Sequence, residues 1–316
     1  MANNISDYKT DIHNDWCAGC GDFGILNSIQ MALCELNIAN HNAVIFSGIG
    51  CSGKTPHFIN TYGIHTIHGR VLPFAQGAKI SNPQITVIAL GGDGDGLGIG
   101  AGHFVAAGRR NVDMTYIIFN NGVYGLTKGQ PSPTLSQGIK TKNSINKNIN
   151  CSINPIELAI VTGFTFVARG HSFDIQHLKN LIISAISHKG LSFIDVIQPC
   201  PTYNDDMHTV NSANTFSSQS YYKLNQSTYD PIISDRDNKL TQYEKLNKIL
   251  IKSHEFGHKI PIGVFYQNNI ISSYQDRLND ITISHKNISP ASTKISDSNH
   301  NPSTDISNLI DEIILK

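Results

Sequence analysis

Short apolar runs separated by polar, glycine-rich stretches dominate the first two hundred residues. Ile85 to Leu90 and Met114 to Phe119 are too short for helices, carry β-branched residues and are bounded by Gly or Asn, so both predict buried strands. Ala43 to Phe46, Phe164 to Ala168 and Leu191 to Ile197 read the same way. Helical spacing lies between them. Ile25, Ile29, Leu33 and Leu36 share one face; Leu72 to Ile80 and Ile99 to Arg109 suit helices; Pro155 opens a helix over Ile156 to Val161. Asp174 caps a segment running to His188, with Ile175, Leu178, Ile182 and Ile186 on one side. Strands alternating with helices predict an α/β fold whose parallel sheet is covered on both faces. Thr55 to Arg70 shows no period and reads as loops, and Gln130 to Asn150 as a surface loop. Beyond Tyr203 the pattern thins: Leu240 to Ile251 suits a helix, Ile262 to Tyr266 a strand or extended arm, and Ile306 to Leu315 a terminal helix, with a loosely held tail over Asp280 to Thr304. The expected division is a domain over 1–205 and an irregular C-terminal extension over 206–316.

The segment 85–129 is one βαβ unit, whose ligand site lies at the carboxyl ends of its strands. Asp93 follows the first strand and Asn121 the second, 28 positions later. A carboxylate and an amide oxygen there suit a hard cation such as Mg²⁺, which keeps phosphates among its ligands. The intervening glycines let backbone N–H groups approach a diphosphate. Gly96-Leu97-Gly98-Ile99-Gly100-Ala101 also fits a dinucleotide fingerprint, but Asp113 precedes the next strand and amides end it, so the ribose-binding acid is missing. GDG, this interval and then NN resemble the signature of thiamine-diphosphate (TPP) enzymes. That resemblance implies Mg²⁺ held by Asp93, Asn121 and the carbonyl of Val123.

Lys plus Arg equals Asp plus Glu at 24 each, so nothing points to nucleic acid or an anionic membrane. The start, MANNISDYKTDIHND, has no apolar core for a signal peptide, and no apolar run approaches membrane-spanning length; the expected compartment is the cytoplasm. There, six cysteines serve as ligands, catalytic groups or spare thiols rather than as disulfides. Cys34 falls near a helix's apolar face and Cys151 has no neighbour, so both are set aside. Cys17 and Cys20 have the C-x2-C spacing, and Cys51 and Cys200 each follow a strand on the ligand-binding edge. Four thiolates hold either zinc or an iron–sulfur cluster. A cluster accounts for a place beside TPP, because it gives the reaction a one-electron sink; zinc does not. His57, His65 and His68 lack a ligand spacing and read as polar pocket residues.

In this order WCAGCGDFG, SGIGCSGK, TYGIHTIHGR, GGDGDGLGIGAGHF, NNGVYGLTKGQPSPT and QPCPTYN resemble the β subunit of 2-oxoacid:ferredoxin oxidoreductases over about the first 205 residues. The resemblance implies a parallel-sheet TPP-binding fold and one 4Fe–4S cluster on Cys17, Cys20, Cys51 and Cys200. It also implies that Ile49, Gly50, Cys51, Ser52, Gly94, Asp95, Gly125 and Leu126 surround TPP, with His68 near the cofactor. Lys54 is expected to face the substrate carboxylate, and Lys128 is a second candidate. The implied activity is oxidative decarboxylation of a 2-oxoacid to acyl-CoA and CO2, with electrons passed through the cluster to ferredoxin, or the reverse. No Glu occupies a recognisable position to activate TPP: Glu35 lies in a helix and Glu157 at a helix start. An α subunit, or α and γ chains, is therefore the expected partner. The competing reading is a non-oxidative TPP-dependent decarboxylase or synthase with a structural zinc. The motifs do not distinguish among 2-oxoacids.

Overall fold

The structure is a computed structural model that describes residues 4–204, 221–225, 227–234, 238–255, 260–281, 289–303 and 307. In chain order the first elements are α1 (Asp22–Glu35), β1 (Ala43–Ser47), β2 (Tyr62–His65), α2 (Val71–Ser81), β3 (Thr86–Gly92), α3 (Ala101–Arg110) and β4 (Met114–Asn120). A small hairpin, β5 (Val123–Tyr124) and β6 (Gln130–Pro131), comes next, then α4 (Pro155–Thr162), β7 (Phe166–His171), α5 (Ile175–Ser187) and β8 (Leu191–Ile197). The remainder supplies β9 (Tyr221–Lys223), β10 (Ile232–Ile233), α6 (Lys239–Ser253), β11 (Ile260–Asn268) and α7 (Tyr274–Ile281).

Strand order in the main sheet is β10-β11-β7-β8-β4-β3-β1-β2, with β9 beside β11. From β7 to β2 every pairing is parallel, as alternating strands and helices require; β11 runs antiparallel against β7. Successive side chains point to opposite faces, and both faces are apolar. Ile88, Leu90, Ile117, Phe119, Ile194 and Val196 pack under α1 and α5; Val87, Ala89, Tyr116, Ile118 and Phe193 pack under α2, α3 and α4. The carboxyl ends of β1, β3, β4 and β8 therefore share one rim, where the loops carrying the candidate residues begin.

The five predicted strands and the helices between them are present. β7 starts two residues later than Phe164 and continues past Ala168 to His171, because Arg169 is fully buried in the sheet against Asp195. Arg169 Nε donates to Asp195 Oδ2 at 2.9 Å across an in-register pair, so charge replaces apolar packing there. The stretch read as loops over Thr55 to Arg70 contains β2, an exposed edge strand whose four residues give no alternating signal. The segment read as a surface loop, Gln130 to Asn150, buries Ser132, Thr134, Leu135, Thr141 and Asn148. After residue 205, α6 and β11 enclose the predicted helix and strand, and β11 is part of the main sheet. The tail within 289–303 is largely exposed, and the predicted terminal helix lies, apart from Ser307, outside the described residues. No helix among the described residues is long and apolar enough to cross a membrane.

Candidate cofactor and metal site

A cleft opens on the rim where β1, β3, β4 and β8 end. Its walls include Ile49 to Ser52 after β1, Gly92 at the end of β3 and Asp93 to Asp95 after it, Asn121 and Val123 to Thr127 after β4, Gln198 after β8, and Asp22 and His68. The helix predicted over Ile99 to Arg109 begins only at Ala101. Gly94–Ile99 instead forms a wide turn in which Gly100 N–H reaches back to the Asp95 carbonyl at 3.1 Å. A Cβ on Gly94 would lie 2.3 Å from the Tyr124 ring, so glycine is what allows this turn to pass under the ring.

Two carboxylates on that turn do different work. Asp93 is almost fully buried, and burial pushes its pKa up to about 6, partly offset by the Ser132 and Thr134 hydroxyls that donate to Oδ2. Asn121 Oδ1 accepts the Val123 N–H at 3.0 Å, which folds the ligand-bearing turn back on itself. A buried carboxylate beside an amide oxygen at the mouth of a cleft fits a divalent cation and fits bare burial poorly. Asp95, equally buried, spends Oδ1 on the protein. Ile49 N–H (3.0 Å), Gly69 N–H (2.8 Å) and His68 Nδ1 (2.6 Å) converge on it, so this side chain pins two neighbouring loops to its own turn around the cleft. Gly48 makes room for it: a Cβ there would lie 2.0 Å from Asp95 Oδ2.

Of the four cysteines of the sequence constellation, Cys51 lines this cleft and Cys200 lies beside it. Cys51 and Cys200 Sγ lie 3.5 and 3.9 Å from the position a Cβ would take on Gly125, itself a cleft residue. The charges of Cys51 and Cys200 raise the Cys20 pKa, and that of Cys17 raises both Cys51 and Cys200, so the four thiols act on one another electrostatically. Burial is the largest cause in each case; it drives Cys20 far above the thiol range, Cys51 to about 12 and Cys200 upward. Trp16 ties the two halves together: its Nε1–H donates to the Cys51 carbonyl at 2.8 Å, while its ring meets Phe23 and Phe58 edge-on. No three His, Cys, Asp or Glu among the described residues converge as the ligands of one metal ion would.

The remaining candidates stand elsewhere. Lys54 is paired with Asp15 at 2.6 Å and is not part of the cleft wall. Lys128 is exposed on the far side of the β5–β6 turn, in left-handed backbone (φ 82°), where its carbonyl accepts from Asn143. Leu126 and Gly125 line the cleft as expected. His65 is tied to Ser47 Oγ and the Gly53 carbonyl, both at 2.9 Å. Cys34 packs against the apolar core and Cys151 is exposed. Among the described residues no glutamate lines the cleft; Glu35 pairs with Lys179 and Glu157 with His254. The sequence reading missed Asp22, Gln198, Ser132 and Thr134. Asp22 is a fully buried residue of the cleft wall whose charge bears on Cys20 and Cys51, with its own pKa pushed up to about 7 by burial. Its place directly after the C-x2-C-Gly run was the available signal.

Known proteins match this arrangement. The family model described as "Thiamine pyrophosphate enzyme, C-terminal TPP binding domain" matches residues 48–196. A second family model, for the C-terminal part of the pyruvate ferredoxin oxidoreductase beta subunit, matches residues 200–282. A 2-oxoacid:ferredoxin oxidoreductase subunit beta of Saccharolobus solfataricus is 51% identical over 302 residues, 95% of this chain and 96% of that protein. The 2-oxoglutarate synthase subunit KorB of Archaeoglobus fulgidus is 39% identical over 188 residues, 60% of this chain and 70% of that one. Among solved structures, a 2-oxoglutarate:ferredoxin oxidoreductase from Magnetococcus marinus, with 2-oxoglutarate, coenzyme A and succinyl-CoA bound, superposes with a TM-score of 0.78 at 29% identity. That likeness covers 99% of this chain and 97% of that one. With half its residues identical over nearly the whole length of such a subunit, and with a TPP-binding domain on a parallel sheet, this chain belongs to the β subunits of the 2-oxoacid:ferredoxin oxidoreductases.

Proposed function

We propose that this chain carries the TPP, Mg²⁺ and 4Fe–4S portion of an active site that oxidatively decarboxylates a 2-oxoacid to acyl-CoA and CO2, passing electrons to ferredoxin. The observation that carries this reading is the shared rim: Cys51 is at once a wall of the cleft and one of the four thiols that act on one another. Asp93, Asn121 and Val123 would hold Mg²⁺, and Cys17, Cys20, Cys51 and Cys200 the cluster. When bound, TPP supplies the nucleophilic carbon and the sink for the electrons released with CO2, and the cluster accepts them singly. The chain's own part is orientation. Asp95 holds the loops of Ile49 and His68 against the cleft, and Gly94, Gly125 and Leu126 leave it open for the cofactor.

Lys54 is assigned to the substrate carboxylate, which it would reach by exchanging Asp15 for the incoming acid. The names of the Archaeoglobus and Magnetococcus proteins make 2-oxoglutarate the first substrate to try. Because the described residues bring no glutamate into the cleft, the group that activates TPP comes from the α partner, and coenzyme A and ferredoxin complete the reaction. The net reaction is reversible in principle, and a low-potential ferredoxin would drive carboxylation. The complex is reconstituted without oxygen and assayed with a panel of 2-oxoacids, coenzyme A and ferredoxin. Brown protein with broad visible absorption and acyl-CoA formation is expected, and Cys51→Ser loses both colour and ferredoxin reduction. Colourless zinc protein that decarboxylates without an electron acceptor would replace this reading with the non-oxidative one, and turnover by the isolated chain would remove the dependence on a partner.

A further inference from the structure

We propose that Pro131–Thr134 is a clasp that sets the divalent-cation site, with Ser132 and Thr134 as its positioning residues. The inference rests on the reading of Asp93 and Asn121 as cation ligands and goes beyond it, because both hydroxyls are spent on Asp93 and neither residue lines the cleft. The two ligands sit on separate turns, after β3 and after β4, and nothing in either strand fixes the distance between their oxygens. The clasp spans both. Ser132 and Thr134 hydroxyls converge on one carboxylate oxygen of Asp93, Oδ2, and backbone N–H groups of Asp93 and Gly94 also bear on the carboxylate. The same segment grips the other turn through its backbone: Ser132 N–H donates to the Gly122 carbonyl at 3.1 Å, and Pro131 pairs with Val123 across the β5–β6 hairpin.

The order Pro-Ser-Pro-Thr suits the task. Each proline fixes φ beside a hydroxyl residue, so the two hydroxyls are held close to their bonding positions before a cation arrives. The far end is tied down as well, since the Pro133 carbonyl accepts from Ile153 N–H at 2.8 Å. Ser132 and Thr134 are buried, so water does not compete for Asp93 Oδ2. The single Thr134 proton has a second acceptor, Asn120 Oδ1 at 2.8 Å, but the charged carboxylate is the stronger of the two. A carboxylate held in one rotamer presents a cation with a ready ligand; a released one must be reoriented at each binding event.

The test uses the reconstituted complex with its α partner and follows TPP uptake by calorimetry at increasing Mg²⁺, with Mn²⁺ as a spectroscopic substitute. Thr134→Val, which keeps shape and loses the hydroxyl, is expected to raise half-saturating Mg²⁺ about tenfold, as the loss of a hydrogen bond to a charged group implies. Ser132→Ala raises it less, and the double variant more than either. Thr134→Ser returns the wild-type midpoint and the wild-type Mn²⁺ resonance, which a role in packing alone would not do. Activity of Thr134→Val recovers at high Mg²⁺, and thermal unfolding of the cation-free complex stays within a few degrees of wild type. Should Thr134→Val fail to assemble, Ser132→Ala and Thr134→Ser carry the comparison. Wild type that takes up TPP with Mg²⁺ while Thr134→Val and Ser132→Ala do so at the same Mg²⁺ overturns the clasp alone. Wild type that takes up none overturns the cation site and the clasp with it.

Discussion

Asp22 offers a direct test of how this site is built, because its carboxyl is placed where ionisation is costly. The side chain is fully buried in the first turn of α1, and neither oxygen makes a well-formed hydrogen bond, although Gln198 and Cys20 lie near enough to ease its charge. Burial raises its pKa from 3.8 to about 7. In the unfolded chain it ionises at the ordinary value, so the sign is fixed. Below about pH 4 both states are protonated and the group costs nothing. As pH rises toward 7 the unfolded chain loses the proton and the folded chain keeps it, so stability falls. It stops falling above the folded pKa. A shift of about three units corresponds to about 4 kcal/mol between those limits.

Asp22→Asn removes this dependence while keeping size and polarity. Urea unfolding of the chain free of cofactors, followed by circular dichroism from about pH 4 to about pH 8, gives the comparison. The variant should gain on wild type as pH rises, with most of the gain below about pH 7. Asp93, raised to about 6, contributes the same sign in both proteins and drops out of the difference. Curves that run parallel across the whole range would refute the reasoning, since they would mean that Asp22 ionises in the folded state as it does in water.

Trp16→Phe keeps an aromatic ring against Phe23 and Phe58 and deletes the N–H bond to the Cys51 carbonyl; it should cost about 1–3 kcal/mol in the unfolding midpoint and lower cluster content per chain, read from visible absorption. Full occupancy in this variant would show that Cys51 is held without the indole. Gly94→Ala forces a methyl group into the Tyr124 ring and should destabilise the cleft by about 1–3 kcal/mol, with TPP affinity falling alongside the melting temperature. Asp93→Asn should abolish Mg²⁺-dependent TPP binding. Asp95→Asn keeps a neutral acceptor for Ile49 and Gly69 N–H and should only weaken that binding; equal losses in the two variants would contradict the separate roles given to them.

What the sequence made legible was whatever depends on neighbours in the chain. The strands Ile85 to Leu90 and Met114 to Phe119 announce themselves by short apolar runs, and Asp93 and Asn121 by their place at the ends of those runs. Asp174 does cap its helix, accepting from His177 N–H at 3.2 Å, because a cap is a local bond. Register and loop return are not local. Arg169 and Asp195 look like interruptions of apolar strands until the pairing of β7 with β8 sets them opposite each other. Asp95 gives no hint that it collects donors from Ile49, His68 and Gly69, since those three come from loops 26 to 46 positions away.

The cysteines show where that boundary falls. The sequence reading set Cys51 and Cys200 on one edge because each follows a strand, yet Cys51 follows β1 and Cys200 follows β8, strands with β3 and β4 between them. Strand order alone would leave these thiols far apart. The loop after β4 brings Gly125 close to both, since a Cβ there would be in ordinary contact with the Cys51 and Cys200 sulfurs at 3.5 and 3.9 Å. The same loop carries Val123, the carbonyl proposed for the cation site, and is held by Ser132 and Pro131. A change that moves this one loop should therefore disturb cofactor affinity and cluster content together, whereas a change at Trp16 should disturb the cluster first.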